Sequence, residues 1–199
     1  MSPDTAPPLT RGPLKARPAV QITPEISLAF ARVHEACGAA RHVFALWLAA
    51  QLDGPVFWIK PAWAQAGLNP AGVAEFIEPS RLTLIAAPRE EDVLWCMEEA
   101  LAASCVPLVV AEPPRLPALT PVRRLHLAAE RRAGRPTGLL LTPGQGGAQG
   151  VESRWHMQPA PAAGEAPEWQ LTRTRARTAP EKSWHLRHED GQVTVFQRK

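Results

Sequence analysis

The stretch ARVHEACGAARHVFALWLAAQLDGPVFWI, residues 31–59, decides the fold. Ala31 to Glu35 reads as a short strand that ends at Ala36, Cys37 and Gly38. Val43, Phe44, Leu46, Trp47, Leu48 and Leu52 then recur at helical spacing until Asp53, Gly54 and Pro55 break the run. Val56 to Ile59 is an unbroken apolar run, the pattern of a strand buried on both faces, and Lys60 with Pro61 closes it. Strand, turn, helix and strand form the unit of a parallel sheet, because two parallel strands need a long, usually helical, crossover between them.

Outward from this unit the pattern repeats. Leu82 to Ile85 predicts a second buried strand, reached through a loose segment containing Gly67, Pro70 and Gly72. After Pro88, Glu90, Glu91 and Asp92 fill the first turn of a helix, where negative charge meets the positive end of the macrodipole, and Val93, Leu94, Met97 and Leu101 form its apolar stripe. Pro107 to Ala111 predicts another strand, ending at Glu112, and Pro113, Pro114 and Pro117 enforce a loop. Thr120 suits an N-cap with Pro121 at the first helical position, and Val122, Leu125, His126 and Ala129 mark the inward side of a helix that stops near Gly134. Leu139 to Leu141 follows as a core strand. The glycine-rich run Gly144 to Gly150 leads to strands at Glu152 to Gln158, Glu168 to Arg177 and Ser183 to Phe196, the last divided by a hairpin turn at Asp190 and Gly191. The expectation is a three-layer α/β fold with a mostly parallel central sheet and a C-terminal β extension. A single domain over 25–199 follows a disordered tail over 1–24, which carries six prolines and few large apolar residues.

Composition narrows the class. The chain has 199 residues, 45% hydrophobic and 21% charged, which suits one domain and argues against disorder. Its 22 prolines and 13 glycines lack the period of collagen. No apolar run approaches the roughly 20 residues of a membrane helix, and Ser2, Pro3, Asp4 and Thr5 do not begin a secretory leader, so a cytoplasmic protein without membrane attachment is expected. Cys37, Cys96 and Cys105 have no paired spacing, which predicts thiols and neither a zinc site nor disulfides. Charge divides unevenly: residues 1–112 carry a net −4 and residues 113–199 a net +7. A basic half either follows a polyanion or is a solvated face.

A glycine turn between a first parallel strand and its helix is where a phosphate loop sits. The Walker A form is G-x-x-x-x-G-K-[ST], with the lysine on the terminal phosphates and the hydroxyl on magnesium. Here Glu35 to His42 retains Gly38, offers Arg41 and His42, and lacks both the lysine and the hydroxyl. No nucleotide hydrolysis, cofactor or metal is therefore expected. Glu112 stands where a strand-end carboxylate would hold magnesium; without the loop it reads as an ion-pair partner of Arg123, Arg124 or a helix N-terminus. The serines have no G-x-S-x-G elbow, the histidines no H-x-x-x-H pair, and His126 reads as a hydrogen-bonded core residue.

Two basic features stand out. With a period of two, Trp169, Leu171, Arg173, Arg175 and Arg177 share one strand face, a ladder of like charges that carboxylates or phosphates would neutralise. Its alternative is a hydrated face paired with the acidic helix around Glu90 to Glu99. Arg124, Arg131 and Arg135 recur at spacings of seven and four and so share a side of one helix. Of the tryptophans, Trp47, Trp58 and Trp95 read as core, and Trp155, Trp169 and Trp184 as candidates for a partner surface.

Val33-His34-Glu35-Ala36 with Gly38, Gly54 to Trp58, the block Leu94 to Leu101 (LWCMEEAL), the helix Arg123 to Glu130 and the strand Thr172 to Arg177 together resemble the bacterial ImuA family. That family is similar to the RecA recombinase and to the cell-division inhibitor SulA. The resemblance covers about Ile26 to Trp184. It implies a RecA-like core with a degenerate phosphate loop and no recombinase activity. In damage-induced mutagenesis such a core acts beside ImuB, a homologue of Y-family polymerases, and an error-prone replicative polymerase. By position, the loop after Glu112 and the loop Gly144 to Gly150 match the DNA-contacting segments of RecA but lack its residues, and Gly144, Gly146 and Gly147 also read as a mobile linker. The expected DNA- or partner-binding set is Gly144, Gln145, Gly146 and Gly147 with Arg123, Arg124, Arg131, Arg135, Arg173, Arg175 and Arg177, any contact with single-stranded DNA being weak. A SulA-like inhibitor of the division polymer and an ATPase with an unusual loop are the alternatives.

Overall fold

Six parallel strands followed by three antiparallel ones make up the central sheet, in a computed structural model that describes residues 17–64, 67–103, 106–131, 134–162, 164–189 and 191–197. A hairpin of β1 (Ala19–Thr23) and β2 (Ile26–Ala29) precedes β3 (Val33–Cys37) and α1 (Arg41–Ala50). Then come β4 (Val56–Pro61), the short α2 (Pro70–Ala74), a 3-10 turn over Pro79–Arg81, and β5 (Leu82–Ala87). The chain continues through α3 (Glu90–Ala103), β6 (Leu108–Ala111), α4 (Leu119–Glu130) and β7 (Thr137–Leu141). It closes with β8 (Ser153–Ala160), β9 (Glu168–Ala176), β10 (Lys182–Glu189) and β11 (Gln192–Phe196). The sheet order is β11-β10-β9-β8-β3-β7-β6-β4-β5, parallel from β8 to β5 and antiparallel from β8 to β11.

Helices cover both faces, which is why β3, β6 and β7 are buried at every position. On one face α1 buries Phe44 through Ala49 without a break, held between the sheet and the hairpin residues Ile26 and Leu28. On the other, α3 (Val93, Met97, Leu101) and α4 (Val122, Leu125, Ala129) pack against Val33, Ile59, Val109 and Leu140. Each large apolar side chain so buried contributes about 1.5–3 kcal/mol. The three-layer, mostly parallel α/β architecture agrees with the sequence reading, as does the antiparallel extension.

Several expectations need correction. The tail does not run to Pro24: Ala19–Thr23 is a strand whose Val20 and Ile22 are buried on α1, while residues 1–16 lie outside the described set. Helix α4 starts at Leu119 behind Ala118, so Thr120 is not its cap and Pro121 sits third, where the missing N–H still costs no helical bond. The tryptophan assignment inverts at four positions. Trp155, Trp169 and Trp184 are core, because β8 to β10 close over α1 and set Trp155 against Phe44 (5.6 Å) and Trp169 edge-on to Trp47 (5.1 Å). Trp95 is 58% exposed on the outer side of α3.

His34 on β3 is buried, with Nδ1 2.7 Å from Ser153 Oγ and Nε2 3.0 Å from the Ala29 carbonyl. Burial pushes its pKa down to about 4. The unfolded chain, with an ordinary histidine near 6.5, therefore takes up the proton first as pH falls. His34 thus contributes stability that is complete above about pH 6.5 and lost towards pH 4, in total about 3 kcal/mol. Urea midpoints across that window are expected to fall for the natural chain and to stay flatter for His34→Gln.

Candidate functional site

The turn joining β3 to α1 brings the residues of the would-be phosphate loop together and closes it. Gly38 holds φ +89°, and its N–H donates to the Gly144 carbonyl at 3.1 Å. The Ala40 N–H donates to the Met157 carbonyl at 3.0 Å. Two of the amides that would cradle an anion are thus spent on protein carbonyls. The Arg41 guanidinium folds back onto the Gly38 carbonyl at 3.2 Å. A nucleotide phosphate does not fit this turn as it stands: β8 presents a carbonyl oxygen to it, and no lysine or hydroxyl side chain lies in Cys37–Val43.

His42, in the first turn of α1, reaches Glu112 across the end of the sheet, Nε2 to Oε2 3.2 Å. Trp58 donates its indole N–H to Glu112 Oε1 at 2.6 Å and stacks on His42 with ring centroids 6.0 Å apart. Burial raises the Glu112 pKa, but the hydrogen bonds from His42 and Trp58 outweigh it and hold the carboxyl below its usual range. The carboxylate is therefore charged and satisfied. Of its expected partners the two arginines are elsewhere, Arg123 lining the groove beside α4 and Arg124 pairing with Glu98 of α3 at 2.8 Å, whereas the N-terminal turn of α1 does meet it through His42.

A residue outside the expected site organises the neighbouring loop. Glu35, wholly buried in β3, accepts from Thr142 Oγ1 (2.6 Å), the Gly147 N–H (2.8 Å) and the Ala148 N–H (3.0 Å) through Oε1. Its Oε2 receives the Arg154 guanidinium at 2.5 Å, and Arg154 also donates to the Ala148 carbonyl. The run Gly144 to Gly150 is thus tied to the sheet, with Ala148 buried, which overturns the mobile-linker expectation. Gly146, at φ +72°, passes so close that a Cβ would lie 2.8 Å from Glu35 Oε1. Gln145 is exposed. A carboxylate in a short strand otherwise free of acidic and basic side chains except His34 is the signal the sequence offers for Glu35; its partners, more than a hundred residues away, are not visible there.

The arginine ladder is divided. β8 pairs with β9 as Trp155↔Arg173 but Arg154↔Arg175, so Thr174 is an extra residue, a bulge that reverses the alternation. Arg173 stays on the α1 face, its guanidinium 5.7 Å from the Trp155 ring centroid and 5.2 Å from that of Trp184, donating to the Pro180 carbonyl. Arg175 and Arg177 turn to the α4 face, where with Arg123 they line a groove of about 610 Å³. No residue of the acidic helix pairs with them; Arg177 approaches Glu152 at 3.6 Å. Nor do Arg124, Arg131 and Arg135 share a helix side, since α4 ends at Glu130: Arg131 caps it, and Arg135, at φ +47°, lines a smaller cavity of about 230 Å³. His126 makes the expected bonds, Nδ1 with the Val33 N–H and Nε2 with the Gly150 carbonyl.

No family model matches the chain. Its sequence is similar to Protein ImuA of Caulobacter vibrioides strain NA1000 / CB15N and to Protein ImuA of strain ATCC 19089 / CIP 103742 / CB 15 of that species. Each is 30% identical over 154 residues, covering 69% of this chain and 62% of the relative. The chain spans about three-fifths of the length of the curated relatives it matches. Among the described residues no helix is long and apolar enough to cross a membrane.

Proposed function

The chain belongs to the ImuA family, and from that premise we propose that it is a non-catalytic accessory protein of damage-induced translesion mutagenesis, built on a RecA-like core. Its task is to recruit: it bridges an ImuB-like homologue of Y-family polymerases and an error-prone replicative polymerase, with at most weak contact to single-stranded DNA. The observation that carries the non-catalytic part is the filled turn after β3, where the Met157 and Gly144 carbonyls occupy amides that a triphosphate needs. Phosphoryl transfer depends on positioning and charge, and this turn supplies neither a lysine nor a magnesium-binding hydroxyl.

Titration with ATP and magnesium is expected to give no saturable binding; a micromolar affinity abolished by Arg41→Ala would return the protein to the ATPases. Affinity capture of the full chain from cells before and after DNA damage is expected to recover polymerase subunits after damage. Recovery of the division polymer without any polymerase subunit would transfer the reading to a SulA-like inhibitor.

A further inference from the structure

The bulge at Thr174 has a second result besides dividing the ladder: it delivers two arginines to the open side of α4. Leu119, Arg123, Leu127 and Glu130 lie at i, i+4, i+8 and i+11 on that helix, one solvent-facing stripe. Arg175 and Arg177 of the β9 end form the facing wall, and the groove between them is about 610 Å³. Its two carboxylates are already engaged, Glu130 by Arg32 and Glu152 by Arg32 (3.4 Å) and Arg177 (3.6 Å). Arg123 and Arg175, on opposite walls and both exposed, make no ion pair with any described residue. Leu127 is 59% exposed between them.

We propose that this groove is the docking site for an acidic protein segment whose carboxylates reach Arg123 and Arg175 and whose leucine-sized side chains cover Leu119 and Leu127. The proposal rests on the adaptor reading and names the surface that performs it. Charge complementarity selects an anionic occupant, and the rest of the lining selects peptide over nucleic acid. Bases of a single strand need aromatic platforms, and no aromatic ring other than the imidazole of His126, hydrogen-bonded at both nitrogens, lines the groove. A phosphate track gains nothing from the leucine wall. Arginine beside exposed leucine, with a charged rim already neutralised, is the composition of a protein interface whose arginines anchor carboxylates.

The test is selection of a random short-peptide phage library on the immobilised full chain, followed by anisotropy titration of the recovered peptides. Enrichment of Asp and Glu beside Leu, Ile or Met is expected. Arg123→Glu with Arg175→Glu is expected to weaken those peptides about tenfold or more, and Leu127→Ser to weaken them by less. Both arginines are exposed, so an unchanged thermal midpoint shows that the double variant folds. Peptides without acidic bias, or acidic peptides that bind the double variant as well as the natural chain, overturn the proposal. So does tight binding of a fluorescent oligo-thymidine that the double variant abolishes, which assigns the groove to nucleic acid instead. Because damage-dependent capture of polymerase subunits is read separately, failure of the groove and failure of the accessory reading are distinguishable.

Discussion

Glu35→Leu is expected to destabilise the fold by about 3–5 kcal/mol, the range for removing one partner of a buried ion pair. The leucine fills the space but leaves the Arg154 guanidinium, only partly exposed, with the Ala148 carbonyl as its remaining partner, and strips the acceptor from Gly147 N–H, Ala148 N–H and Thr142 Oγ1. Each buried donor left unpaired costs about 1–3 kcal/mol, which places the effect in the upper part of that range. For a chain of this size the melting midpoint should fall by about 10 °C. Amide exchange at Gly147 and Ala148 should accelerate before global unfolding, because these two N–H groups tie the glycine loop to the sheet. A change under about 1 kcal/mol in urea titration would mean that the carboxylate is not the anchor described.

Gly38→Ala is expected to cost about 3 kcal/mol, for two reasons that a second glycine separates. At φ +89° any side chain is strained, and the new Cβ would stand 2.3 Å from the Met157 carbonyl oxygen. That oxygen belongs to the backbone of β8, so relief requires the strand to move and its bond to the Ala40 N–H to break. Gly144 shares the left-handed conformation, at φ +60°, with nothing within 4 Å of a Cβ. Gly144→Ala should therefore show the conformational cost alone, about 1 kcal/mol. Equal losses in the two variants, measured by urea unfolding, would show that β8 does not press on the turn.

Local pattern carried the alternation of strands and helices well. Val56 to Ile59 and Leu139 to Leu141 read as buried strands because nothing in them tolerates water, and they lie inside the sheet; Leu82 to Ile85 reads the same way but forms the edge strand β5, with Thr83 and Leu84 exposed, because sheet order is not written in a local pattern. The hairpin before β3 has no local signal, because its prolines and short apolar runs resemble a tail; its stability comes from Val20 and Ile22 meeting α1, a contact no window of sequence contains. Trp155, Trp169 and Trp184 looked like surface because arginines surround them in sequence, yet alternation sends those neighbours to the other face or over the rings. Gly38, Arg41, His42 and Glu112 lie at strand and helix ends in the sequence, and two contacts link them in pairs, Arg41 to the Gly38 carbonyl and His42 to Glu112. Trp58, the third member of the Glu112 arrangement, is also a core residue, and nothing local shows that its indole N–H reaches the carboxylate.

Composition and order along the chain establish a mostly parallel α/β sheet, a first turn without lysine or hydroxyl side chains, and a positive C-terminal half. These follow from residue identity and periodicity, which are local. The closing of that turn by the Met157 carbonyl, the anchoring of the glycine loop by Glu35, and the division of the arginine ladder at Thr174 were decided only by tertiary structure. Each depends on the register between strands distant in sequence. A single extra residue in one strand reverses which side chains face the core, and the period of two cannot show it.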